Sequence, residues 1–71
     1  MKKTKGQQKL QQAIWENKTS GVAKKVGISQ RNVYYLNGND MKPEEMKLRV
    51  ARALKKELGI EYDDWFEEVE D

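Results

Sequence analysis

The most restrictive stretch of this chain is Val22-Ala23-Lys24-Lys25-Val26-Gly27-Ile28-Ser29-Gln30-Arg31-Asn32-Val33, where a glycine separates two short apolar repeats. Val22, Ala23 and Val26 fall on one face of a helix, with Lys24 and Lys25 on the wet side. Gly27 interrupts, and Ser29 is placed to N-cap a further helix running from Gln30 to about Asn37. Ile28 and Val33 stand at N′ and N4, the positions of a hydrophobic staple. Two helices this short cannot bury their apolar faces separately, so they must pack on each other and on the rest of the chain.

The flanking segments read the same way. Leu10, Ala13 and Ile14 predict a first helix over 7–16, stopped by Asn17 and Lys18, with Thr19 or Ser20 capping the second helix. Gly38 or Asn39 is placed to take the left-handed conformation that closes the third. Pro43 suits the first turn of a fourth, beginning near Glu44, in which Met46, Val50, Leu54 and Leu58 recur every four residues. Gly59 stops it, Ile60 and Tyr62 return to the core, and a short fifth helix after Asp63 carries Trp65, Phe66 and Val69. No segment alternates as a strand would. The expectation is an all-α fold of five short helices without a β ladder, with Leu10, Ile14, Val22, Ala23, Val26, Val33, Leu36, Val50 and Leu54 in one core.

Composition removes most chemistries. The 71 residues contain no cysteine and no histidine, so disulfides, thiolate ligands and the commonest general base are absent. No nucleophile and base pair is evident, and neither a catalytic residue, a metal, a cofactor nor a small-molecule substrate is expected. The basic start at Lys2, Lys3 and Lys5 continues into Gly6, Gln7, Gln8 and Lys9 rather than an apolar stretch, which argues against a signal peptide. No run approaches the roughly 20 apolar residues of a membrane span, so a cytoplasmic protein without a membrane partner is expected.

Charge is segregated. Residues 1–60 hold all 14 Lys and Arg against five acids, while seven acids and no base lie between Glu61 and Asp71. A body so basic favours a polyanion, because each Lys or Arg that neutralises a phosphate releases counterions. A solvated, solubilising surface accounts for the charge equally well. The predicted organisation is a flexible basic arm over 1–6, a domain over 7–66 and an acidic tail over 67–71.

The spacing around Gly27 is that of a helix-turn-helix over about 19–38. Counted from Thr19, Ala23 is fifth, Gly27 ninth and Val33 fifteenth. A larger fifth residue would push the helices apart, a Cβ at the ninth would strain a left-handed turn, and the fifteenth fills the angle between the helices.

With Asn37-Gly38, Pro43, Leu58-Gly59-Ile60 and Asp64-Trp65-Phe66 added, the chain resembles the phage Cro and repressor-like helix-turn-helix family, including the small Cro/YdaS-type regulators, over roughly residues 10–66. It departs from the family pattern in having Thr19 where a Gln usually opens the second helix. Five positions separate Val33 from Gly38, one fewer than usual, so either the third helix ends early or Asn39 takes the glycine's role.

The resemblance implies a lambda-repressor/Cro-like bundle and a sequence-specific regulator of transcription, reading the major groove of a double-stranded operator in the cytoplasm, at the nucleoid of a bacterial or phage-infected cell. With Val33 and Leu36 turned inward, Gln30, Arg31, Asn32, Tyr34 and Tyr35 are the candidate base readers. Arg matches guanine, Gln and Asn match adenine, and a tyrosine rim can touch a thymine methyl. Partial burial of Tyr34 or Tyr35 against Trp15 is the plain structural reading of those two residues. Thr19, Ser20, Ser29, Asn37 and Lys42 are candidate phosphate contacts, with Lys2, Lys3, Lys5 and Lys9 extending the footprint; capping alone accounts equally for Thr19 and Ser29. One short helix reads few bases, so a homodimer is expected, formed in solution or only on DNA, with half-sites about 34 Å apart. Trp65 and Phe66 are its candidate interface, unless they simply close the monomer core. A protein-interaction module of the anti-repressor or antitoxin kind, or a DNA-packaging or recombination accessory factor, could use the same fold.

Overall fold

The computed structural model describes residues 3–69. It is a mostly helical domain of three α-helices, α1 (Lys5–Val26), α2 (Gln30–Leu36) and α3 (Leu48–Leu58), closed by a two-residue antiparallel pair, β1 (Lys3–Thr4) and β2 (Glu68–Val69). Five helices are therefore too many. The segments Pro43–Glu45 and Tyr62–Phe66 are 3-10 turns, and α1 joins two helical segments across a break at Lys18, where the sequence predicts the first helix to stop. At the break Lys18 adopts φ 65° and ψ 166°, and the Asn17 side-chain amide donates to the freed region at the Ala13 carbonyl (3.2 Å). Such a conformation costs a non-glycine residue about 1–3 kcal/mol, so the surrounding packing must impose it.

The chain enters α1 earlier than the expected start at Gln7. Thr4 Oγ1 accepts from the Gln7 amide (3.2 Å) and Gln7 Oε1 accepts from the Thr4 amide (3.2 Å), a reciprocal capping box that opens the helix at Lys5. Lys3 and Thr4 pair with Val69 and Glu68, and the Lys5 amide donates to the Glu67 carbonyl at 2.7 Å. Residues 3–6 are thus structural rather than a free arm, and Glu68 and Val69 belong to a ladder rather than a loose tail. The remaining arm residues Met1 and Lys2, and tail residues Glu70 and Asp71, lie outside the described residues.

Gly27 (φ 81°, ψ 34°) ends α1 in the left-handed conformation, and the Ile28 amide reaches back to the Ala23 carbonyl at 3.0 Å. Ser29 caps α2 by accepting from the Asn32 amide (3.2 Å), as its position predicts. Neither Gly38 nor Asn39 is left-handed; the helix closes through Asn37 (φ −92°, ψ 1°) with the Gly38 amide on the Tyr35 carbonyl. The expected fourth helix starts four residues late. Pro43 opens only a 3-10 turn, Met46 and Lys47 are extended, and α3 begins at Leu48 without a side-chain cap.

The core contains Leu10, Ala13, Val22, Ala23, Val26, Val33, Leu36, Leu54, Ile60 and Trp65, with Ala51 also buried. Ile14 and Val50 pack against it only in part. Tyr62 does not return to the core but stays half exposed, because the 3-10 turn directs Trp65 inward instead. Trp65 is fully buried, lying so close to Gly6 that a Cβ there would stand 2.6 Å from Trp65 Cδ2. It therefore cannot be the exposed half of a dimer interface.

Candidate nucleic-acid interface

Helix α2 has seven residues and two distinct sides. Val33 and Leu36 are buried, whereas Gln30, Arg31, Asn32, Tyr34 and Tyr35 are all exposed, so every expected base reader shares one outward surface. The division follows from helical geometry, since Val33 and Leu36 at i, i+3 consume the inward stripe. Tyr34 is 64 % exposed and Trp15 is 75 % exposed, so neither tyrosine is buried beneath that indole. Tyr35 is less free: its hydroxyl accepts from the Lys42 amide (3.1 Å) and so pins the loop that follows α2.

The expected phosphate contacts divide. Ser29 is exposed, and its oxygen caps α2 while its hydroxyl hydrogen is left for another acceptor. Thr19 and Ser20 do not cap. The non-helical residue at the break is Lys18, one position before them, so they are already inside the second half of α1. Thr19 is half-buried and Ser20 exposed. Asn37 is a poor phosphate contact because its amide turns inward: Nδ2 donates to Gln11 Oε1 (2.7 Å) and Oδ1 is buried without a donor. Lys42 is exposed, with Nζ 3.9 Å from Glu45, a pairing too solvated to hold the side chain firmly.

Two lysines near the start of the chain, Lys5 and Lys9, are paired elsewhere. Lys9 Nζ lies 2.7 Å from Asp64 Oδ2, and Lys5 Nζ lies 4.0 Å from Asp64 Oδ1. Asp64 is buried and also accepts from the Glu61 amide at 3.1 Å. The hydrogen bond from Lys9 holds its carboxyl below the ordinary value of 3.8, against the opposing effect of burial. Lys5 and Lys9 thus fasten the two ends of the domain rather than extending a phosphate footprint.

Two residues that hold α2 in place carry no obvious sequence mark. Gln7 is buried, and its Nε2 donates to the carbonyls of Leu36 (3.1 Å) and Gly38 (2.7 Å). Gln11, one turn further along α1, accepts from Asn37. Gln7 thereby satisfies carbonyls at and just beyond the end of α2, and the bond between Asn37 and Gln11 ties the same end to α1. The signal available was glutamine at i, i+4 on the apolar side of a helix.

Beside α2 lies a groove of about 270 Å³, bordered by Asn32, Tyr35, Lys47 and Arg49. Among the described residues no cluster of acids could hold a metal ion, and no helix is long and apolar enough to cross a membrane. Compared with family models, curated proteins and solved structures, the chain matches none.

Proposed function

We propose that the protein is a sequence-specific double-stranded DNA-binding regulator, built as a Cro/repressor-type helix-turn-helix in which the second half of α1 supports α2 and α2 enters the major groove. One observation carries this reading: Gln30, Arg31, Asn32, Tyr34 and Tyr35 all stand exposed on one short helix whose other side is sealed by Val33 and Leu36. The set is rich in groups that match base edges, and Arg31 lies in the first turn, the end that penetrates the groove in this architecture. Ser29 at the helix start and Lys42 beyond its end are placed to touch backbone phosphates on either side. Two copies, each reading one half-site, supply the contacts that one short helix lacks. Such a regulator acts where the DNA is, in the cytoplasm at the nucleoid.

The test is selection of preferred duplexes from random DNA with the full chain, repeated with Arg31→Ala. A recovered consensus should lose preference at one base pair per half-site in the variant, with about 1–3 kcal/mol lost on the preferred duplex and little change on random DNA. Equal loss on both would reduce Arg31 to a phosphate contact. Absence of any enriched duplex with the unaltered chain overturns the proposal.

A further inference from the structure

A second groove, of about 470 Å³, runs along α3 between the stripe Leu48, Ala51, Arg52 and Lys55 and the turn that carries Tyr62. Residues spaced i, i+3, i+4 and i+7 fall on one side of a helix, so the stripe extends over about 10 Å at 1.5 Å per residue. Ala51 is small and buried, which leaves room between Leu48, 65 % exposed, and Tyr62, 43 % exposed. The Tyr62 ring is braced edge to face by Phe66 at 5.1 Å, so that wall is set before anything binds and little ordering remains to oppose binding. Exposed apolar groups about a recess of this size, on so small a domain, mark a contact surface.

Charge decides what can cover it. Helix α3 carries Arg49, Arg52, Lys55 and Lys56 against Glu57 alone. In the groove itself the Glu61 carboxylate is taken by Lys55 at 3.4 Å, which leaves Arg52 without an ion pair among the described residues. The backbone of a DNA duplex would satisfy Arg52 but would set phosphates against Leu48 and Tyr62, where an apolar cover is needed. A second copy of this chain supplies no better match: all its uninterrupted acidic sequence lies in 61–71, where Trp65 is in the core and Glu68–Val69 is in the ladder. Apolar side chains flanked by carboxylates satisfy both the recess and the unpaired guanidinium. A straight stripe two turns long receives such groups best from an amphipathic helix, whose apolar residues recur at one-turn intervals.

We propose that this groove docks an acidic amphipathic helix of another protein, with apolar anchors packed on Leu48, Ala51 and Tyr62 and a carboxylate on Arg52. The groove shares no residue with α2, so the proposal stands or falls apart from the DNA-binding reading.

The experiment follows backbone amide shifts of the isotope-labelled full chain as a synthetic helical peptide is added, with leucines at i and i+4 flanked by glutamates. Two control peptides replace the glutamates by lysine or the leucines by serine. The glutamate peptide should move the amides of Leu48, Ala51, Arg52, Lys55 and Tyr62, and each control should bind about tenfold more weakly or worse. Leu48→Gln should weaken the glutamate peptide by about tenfold, with shifts elsewhere unchanged to establish that the domain is intact. Arg52→Glu should reverse the preference between the glutamate and lysine peptides. No movement up to about 1 mM peptide, equal binding of the lysine peptide, indifference to Leu48→Gln, or an unreversed preference in Arg52→Glu overturns the proposal. So does either rival occupant: a sedimentation mass that rises with concentration and stops rising in Leu48→Gln, or a DNA duplex that moves the same amides.

Discussion

The exposed side of α2 and the place where the two chain ends meet are built on opposite principles. On α2, five polar or aromatic side chains face solvent, and of them only Tyr35, through its bond from the Lys42 amide, holds another part of the fold. At the meeting of the ends the side chains are committed to one another, with Trp65 Nε1 buried and without a hydrogen-bond partner: Gly6 admits the Trp65 ring, Asp64 takes Lys9 and Lys5, and β1 takes β2. Tyr35 apart, the first surface can change its chemistry at little cost to folding, and the second cannot. A small domain can therefore vary the outer surface of α2 while the clasp at its ends keeps the fold in place.

The largest test of that contrast is Trp65→Ala. Removing the largest fully buried side chain should cost about 3–5 kcal/mol in urea unfolding. An unchanged midpoint would mean that the clasp carries little of the stability. Gly6→Ala asks the same question from the other side: a Cβ 2.6 Å from the indole forces the ring or the helix to move, at about 1–3 kcal/mol of overpacking. Arg31→Ala should do the reverse of both, shifting stability by under about 0.5 kcal/mol while, on the proposed function, relaxing preference at one base pair per half-site. Substantial destabilisation in that variant would break the contrast.

The smallest effect concerns acid. Because Lys9 depresses the Asp64 carboxyl in the folded chain, the unfolded chain takes up that proton first as the pH falls. The ion pair's stabilisation is full above the ordinary carboxylate range and is lost as the pH descends through the lowered folded value. Asp64→Asn should be less stable at neutral pH, and its deficit should shrink in acid. A deficit constant with pH would mean that the carboxylate charge contributes nothing.

The difference between the two regions also explains what could be read from the chain alone. The cap at Ser29, the left-handed Gly27 and Gly59, and the inward Val33 and Leu36 depend on residues within a turn or two of each other. Those constraints are written in adjacent letters. The capping box of Thr4 and Gln7 is equally local, yet the sequence reading places a flexible arm there, because Gln7 looks like one more polar residue in a polar stretch. Its bonds to Leu36 and Gly38 depend on the tertiary position of α2. Likewise, Trp65 reads as surplus bulk until Gly6 is known to lie against it, and Asp64 reads as one acid among seven until Lys9 reaches it. The late start of α3 has a similar origin: Pro43 signals a turn, and nothing local distinguishes a single 3-10 turn from the opening of a longer helix.

The pairing of Lys3–Thr4 with Glu68–Val69 has a further consequence for the order in which the domain assembles. Contacts between α1 and α2 close short loops and can form early, whereas this ladder closes a loop of nearly the whole described chain and has only two residues on each side to offset the lost entropy. It is placed to zip last, once α1 and the Trp65 turn already hold its strands together, and to open first. The ends of the domain are thus its latch in time as well as in space, and amide protons there should exchange ahead of those in the helical core.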